Sequence, residues 1–168
     1  MKRISVLFLT VLLFICPISG KVFIGTDLRG IDSAFFSSLR LDAEAGFRYE
    51  ELRFMFPLSY AQSYEEDFYY FEGGVNIAVY PFEKLGLFLG TTLFSGGYLL
   101  GQAAPDDNFL LSAKAFAGWT FSFPYFFIEP RITFFDIFSS ADSTVSVLKS
   151  NVKQYSKCRL SLYMGVEF

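Results

Sequence analysis

The chain has 168 residues, a net charge of −3, no histidine and two cysteines, and its 23 Phe and 10 Tyr make it unusually aromatic. Without histidine there is no Ser-His or Cys-His nucleophile, and a single cysteine beyond Cys16 excludes an internal disulfide or a thiolate metal cluster. The acidic balance also lacks the basic face that a nucleic-acid partner requires.

Taken in chain order, Lys2 and Arg3 precede a charge-free, mostly apolar run from Ile4 to Ile15. This run is shorter than the ~20 residues of a membrane helix and reads as a secretory signal peptide cleaved after Gly20 in "PISG". Cys16 offers a rival, lipidated start, but Ile15 stands where a lipidation motif has a small residue. Cleavage of residues 1–20 removes two cations, taking the net charge from −3 to −5, and leaves residues 21–168 as one domain with Cys158 as its cysteine.

At period two this domain divides into eight strands, about 22–29, 39–49, 52–60, 68–80, 85–94, 109–121, 125–135 and 155–168. Most approach the ~9 to 11 residues of a tilted transmembrane strand. Tight connections at Glu50 and Glu51, Pro81 to Lys84 and Ser122 to Pro124 alternate with longer ones at Gly30 to Ser38, Ala61 to Asp67, Ser95 to Asn108 and Asp136 to Gln154. Short turns at one end and long loops at the other are the layout of a membrane barrel with both termini in the periplasm.

Each strand has an uncharged row, for example Leu39, Leu41, Ala43, Ala45 and Phe47. The charges fall on the opposite row: Asp27, Arg29, Arg40, Asp42, Glu44, Arg48, Arg53, Glu72, Lys114, Glu129, Arg131, Lys157, Arg159 and Glu167. Seven of these repeat a register already set by an earlier charge in their strand, so the two faces are not a product of choosing the register. A soluble calycin-like barrel would bury the uncharged row, whereas a membrane barrel turns it outward. The second arrangement fits better, because the charged row also holds Phe23, Phe88, Phe94, Leu110, Phe116, Phe127 and Phe135, a poor face for water. Aromatic residues crowd the strand ends as well, with Tyr49, Trp119, Phe121, Phe123 and Tyr125 near short turns and Tyr60, Tyr64, Phe68, Tyr69 and Phe134 near long loops.

The terminal "CRLSLYMGVEF" sets Leu160, Leu162, Met164 and Val166 at alternate positions before Phe168. With the leader and the strand count, the chain resembles the small eight-stranded bacterial outer-membrane barrels of the OmpX, OmpW and OmpA-transmembrane type over essentially all of residues 21–168. The resemblance implies an all-β, antiparallel, up-and-down transmembrane barrel in the outer membrane of a double-membraned bacterium. It also implies outer-membrane lipid as its surroundings, and a barrel-assembly machinery that reads Leu160, Leu162, Met164, Val166 and Phe168 during biogenesis.

Turned inward, the charged row predicts a lumen ion-pair network of Asp27, Arg29, Arg40, Asp42, Glu44, Arg48, Arg53, Glu72, Lys114, Glu129, Arg131 and Arg159. Strands five to seven add an apolar half-lumen of Phe88, Phe94, Leu110, Phe116, Phe127 and Phe135. The expected function is non-enzymatic: a narrow channel or binding path for small, partly hydrophobic solutes, with a sideways exit where Pro130 interrupts a ladder. The alternative is a plugged structural barrel whose loops, among them "SYEEDFYY" and "APDDN", act as an adhesin or bind an envelope partner. A soluble periplasmic calycin-like binder is the third class. No catalytic residue, cofactor, metal site or nucleic-acid partner is expected; Glu72 and Glu129 would have to serve any hydrolase, and lumen arginines make them structural.

Overall fold

The structure, a computed structural model, describes residues 20–30, 38–102, 104, 108–135, 142–152 and 158–168, so the leader reading, with Cys16, lies outside the described residues. Among the described residues there are ten strands: β1 (Lys21–Asp27), β2 (Ser38–Tyr49), β3 (Leu52–Ser63), β4 (Tyr69–Phe82), β5 (Leu87–Leu100), β6 (Phe109–Leu111), β7 (Lys114–Trp119), β8 (Phe121–Ser122), β9 (Phe127–Phe135) and β10 (Cys158–Glu167). Neighbours pair antiparallel, and β10 pairs with both β9 and β1, so the sheet closes on itself. β6, β7 and β8 are successive pieces of one stave between β5 and β9, which gives a barrel of eight staves.

The break between β7 and β8 has a local cause. Gly118 faces Arg131 and Phe121 faces Ile128, the same register on both sides of Thr120. Pro130 stands between them without an N–H to donate, and there the ladder is interrupted as expected. In β5, Val75 faces Phe94 but Asn76 faces Thr92, so one residue is extra. This bulge turns Leu93 and Phe94 outward together and brings Ser95, Gly97 and Leu99 to the inside. It corrects the lumen assignment of Phe94, which is 60% exposed on the outer wall. The strand then continues to Leu100 through glycines that read as loop.

Burial follows the period-two pattern: along β2, Arg40, Asp42 and Glu44 are buried while Leu41 is 52% exposed. The uncharged row is therefore the exterior and the charged row the lumen, the inverse of a soluble barrel. Inside, large rings use the space above glycines on the next stave. A Cβ at Gly90 would collide with the Phe116 ring, and one at Gly118 with the Phe88 ring. The long last connection, read as a Ser/Thr-rich loop, contains a helix, α1 (Asp142–Asn151). Leu148 of α1 and Val152 just beyond it are buried against Ala61, Phe68, Tyr70, Leu99 and Leu110 at the loop end of the barrel.

Candidate functional site

The centre of the lumen is a closed square of two carboxylates and two guanidinium groups. Arg53 on β3 donates from Nη2 to Glu44 Oε1 at 3.0 Å and from Nη1 to Glu129. Across the barrel on β9, Arg131 donates to both Glu44 oxygens, at 2.9 and 2.8 Å, and from Nε to Glu129 Oε1 at 3.1 Å. Each carboxylate meets both arginines, the forked geometry for which guanidinium is suited. Tyr80 and Thr120 close the periphery: the Tyr80 hydroxyl accepts from Arg53 at 3.0 Å, and Thr120 Oγ1 donates to Glu129 at 2.9 Å. The arginine planes also lie over rings, Arg53 at 3.8 Å from the Phe23 centroid and Arg131 at 4.0 Å from that of Tyr163.

Two smaller clusters lie nearer the loop end. Arg159 on β10 bridges Asp27 on β1 and Asp42 on β2, with the Asp42 contact at 2.6 Å, and Arg40 donates from Nε to the same Asp42 at 2.9 Å. On the opposite wall, Glu72 Oε1 pairs with Lys114 and accepts the Ser95 and Ser112 hydroxyls, while Glu72 Oε2 has no hydrogen-bond partner among the described residues. Among the described residues the buried charges are Arg40, Arg53, Lys114, Arg131 and Arg159 against Asp27, Asp42, Glu44, Glu72 and Glu129, and these cancel. Neutrality with every ion paired is what a dry interior requires.

Above and below this band the lumen is apolar. Phe23, Met55, Ala78, Tyr80, Phe88, Phe116 and Phe127 form a floor towards the turn end, and the cup holding Leu148 and Val152 closes the loop end. The apolar residues are thus divided along the barrel axis rather than gathered on one half of the wall, which corrects the expected half-lumen. The reason is that Phe23 and Met55 on the charge-rich staves reach the same floor as Phe88 and Phe116. A cavity of about 30 Å³ beside Arg40, Asp42, Lys114 and Tyr163 has room for one or two waters, and another of about 10 Å³ lies by Arg48 and Glu167.

Of the predicted network, ten members are buried as above. Arg48 sits half-buried at the turn end, its guanidinium 4.0 Å from the Tyr80 centroid. Arg29 does not join the lumen row: past Asp27 the chain leaves β1 in a helical turn at residues 28–30, and the exposed side chain donates to the Leu160 carbonyl. Phe88, Leu110, Phe116 and Phe127 are buried inside, and the Phe135 side chain lies outside the described residues. Tyr80, Thr120, Tyr163, Ser95 and Ser112 also reach these clusters, and all but Ser95 share the parity of their strand's charges. Leu148 and Val152 gave no such signal.

The outer wall carries two aromatic girdles. At the loop end Tyr60, Phe71, Tyr98 and Phe109 face one another in register across four staves, with centroids 4.9 Å apart in the Tyr60–Phe71 and Tyr98–Phe109 pairs. At the turn end Trp119 stacks on Phe121 at 5.9 Å and Phe123 on Phe126 at 4.5 Å. Between them lie Ile24, Leu41, Leu58, Leu89 and Leu93, all exposed. An apolar belt edged by rings is a surface suited to hydrocarbon.

No family model and no curated protein matches the chain. Among solved structures it is similar to Neisserial surface protein A, with a TM-score of 0.52 over 89% of this chain and 94% of that one, at 15% identity. That likeness is one of fold: a small, closed, eight-stave barrel of the outer-membrane type.

Proposed function

We propose that this chain is an integral, non-enzymatic protein of the outer membrane of a double-membraned bacterium, a closed barrel that presents its long loops at the cell surface to a host or envelope partner. The observation that carries this reading is the lumen, where five buried cations and five buried carboxylates cancel between an aromatic floor and a helix-filled cup. Among the described residues this filling leaves only small cavities in the lumen, which supports a barrel closed to ions. Glu72 and Glu129 are each held by cations, so neither is placed to act as a general acid or base.

The loops support a platform. Ser63 Oγ accepts the Glu65 and Glu66 N–H groups at 3.3 Å each, and Asp67 accepts the Gln102 N–H at 3.3 Å, which braces the β3–β4 tip against the β5–β6 loop. Tyr64, 59% exposed, stands among these acids, and a basic partner surface with an apolar centre would complement them. On β10, Leu160, Leu162, Met164 and Val166 face outward and Phe168 just beyond it is exposed, which supports their reading as the assembly signal.

The test is single-channel recording of refolded residues 21–168 in a planar bilayer, with insertion verified by heat-dependent gel mobility. Silence is the expected result, and stable unitary steps would overturn the closed-barrel reading. A path for small, partly hydrophobic solutes is the second reading, favoured by the apolar cup beneath α1. It requires that Phe116→Arg or Phe127→Arg block solute uptake, and unchanged uptake removes it.

A further inference from the structure

We infer that the middle of the lumen is a binding site for one monatomic anion of chloride size, in the cavity of about 30 Å³ that lies between the three ion clusters. Such a site is independent of whether the loops bind a partner.

Four polar side chains converge on this cavity without a protein group to bond. Asn76 on β4, Thr133 on β9, and Ser161 and Tyr163 on β10 line it, and each is less than a tenth exposed. The Thr133, Ser161 and Tyr163 hydroxyls take part in no hydrogen bond among the described residues. Asn76 uses its Oδ1, which accepts from Thr92 at 2.9 Å, and its Nδ2 is left with two hydrogens to donate. The Tyr163 ring carries the Arg131 guanidinium on its face, so the ring is held while its hydroxyl stays uncommitted. Buried donors without acceptors are costly, and a guest that accepts from several of them removes that cost at one point.

The wall is also positive. Arg40, Lys114, Arg131 and Arg159 line the cavity, and Asp42 is the one carboxylate among its lining residues. All four cations are paired, but Glu72, Glu44, Glu129 and Asp27, which neutralise Lys114, Arg131 and Arg159, are not part of the lining. Asp42 already accepts from Arg40, Arg159 and Ser59. A guest therefore lies nearer to the cations than to most of the carboxylates that balance them, in an interior that screens charge far less than water does. A water molecule brings two hydrogens of its own to a wall already rich in donors, whereas a halide only accepts. A metal cation would be repelled. The space holds one or two waters, which admits a chloride ion and excludes sulfate or phosphate. Bound there, the ion would tie β4 to β9 and β10 at mid-lumen.

The experiment uses the protein purified from membranes in detergent, unfolded and refolded in sodium bromide so that a closed lumen can take up the probe, then crystallised and measured at the bromine absorption edge. One anomalous peak within hydrogen-bond distance of Thr133 and Ser161 is expected. Thr133→Val combined with Ser161→Ala keeps the shape and the four cations and should lose the peak. In solution, urea unfolding is followed as chloride replaces sulfate at constant ionic strength, and the parent is compared with the double variant so that general salt effects cancel. Once the site is filled, each tenfold rise in chloride should raise the parent's ratio of folded to unfolded protein about tenfold relative to the variant's. Tyr163→Phe, which removes one donor, should shift the chloride dependence about tenfold higher in concentration. Gel mobility checks that each variant is folded, and the parent's peak decides the matter if one is not. Density without anomalous signal in the cavity would mean water and would overturn the inference, as would a peak that survives in the double variant. A peak with a chloride-independent difference between parent and variant would mean binding at crystal concentration only, and overturns it equally.

Discussion

Two buried carboxylate sites in the same lumen are held in different ways. At the square, Glu44 and Glu129 are each gripped by two arginines, and the bonds run across the barrel from β2 and β3 to β9. At the other site one lysine and two serine hydroxyls converge on a single oxygen of Glu72, and the second oxygen is left without a hydrogen bond among the described residues. The difference follows from the cations. A guanidinium is a flat fork that can serve two carboxylates at once, whereas an ammonium is a compact charge that satisfies one point. The square is thus a latch tying opposite walls, and Glu72 with Lys114 is a plug that neutralises its own corner.

The largest expected effect comes from opening the latch. Arg131→Met leaves Glu44 and Glu129 buried with Arg53 as their shared partner, and should destabilise the folded barrel by about 3–5 kcal/mol, the cost of breaking a buried pair. Urea unfolding in lipid vesicles, followed by the fluorescence of the single tryptophan, Trp119, measures it. Lys114→Met opens the other site, but Glu72 retains both serine hydroxyls, so the loss should fall at the low end of the same range, about 3 kcal/mol by the same assay. A larger loss for Lys114→Met than for Arg131→Met would invert the comparison.

The next effect depends on a bulge. Ser95 reaches Glu72 because the extra residue in β5 shifts the inward parity, sending Phe94 to the outer wall and Ser95 to the lumen. Ser95→Ala should cost about 1 kcal/mol, the worth of one hydrogen bond to a charged acceptor that keeps its other donors. A cost near zero would mean that Ser112 and Lys114 alone satisfy Glu72.

That bulge also marks where sequence legibility ended. The staves were readable because a one-residue slip would turn a charge such as Asp42 or Glu129 towards the outside, so alternation and charge reinforce each other. The ends of β2 and β3 at the Glu50 and Glu51 turn were legible for the same reason. Period two cannot register an extra residue when glycines follow it, so alternation alone places Phe94 inside and ends β5 early. Pairing was not legible either: alternation shows that Glu44 and Arg131 face the lumen, but not that they meet across it. Likewise α1 has a Ser/Thr-rich sequence of modest helix propensity, and its order depends on a cup formed by residues from β3 to β6 that are distant in the chain.

The smallest expected effect is the most direct test of the difference between latch and plug. Glu72→Gln combined with Lys114→Met removes both charges at the second site while leaving an amide oxygen for the Ser95 and Ser112 hydroxyls. No buried charge is then unpaired, and the desolvation penalty of two ions disappears together with their attraction. Such replacements are often neutral or mildly stabilising, so the double variant should unfold within about 1 kcal/mol of the parent, recovering most of the loss seen in Lys114→Met. The square cannot be relieved in the same way by changing one carboxylate and one arginine, because each residue there serves two partners. Removing Glu129 with Arg131 leaves Glu44 and Arg53 paired but breaks the tie between β3 and β9. If that double variant proved as neutral as the one at Glu72, the cross-barrel bonds would contribute nothing beyond local charge cancellation, and the latch would be no more than a second plug.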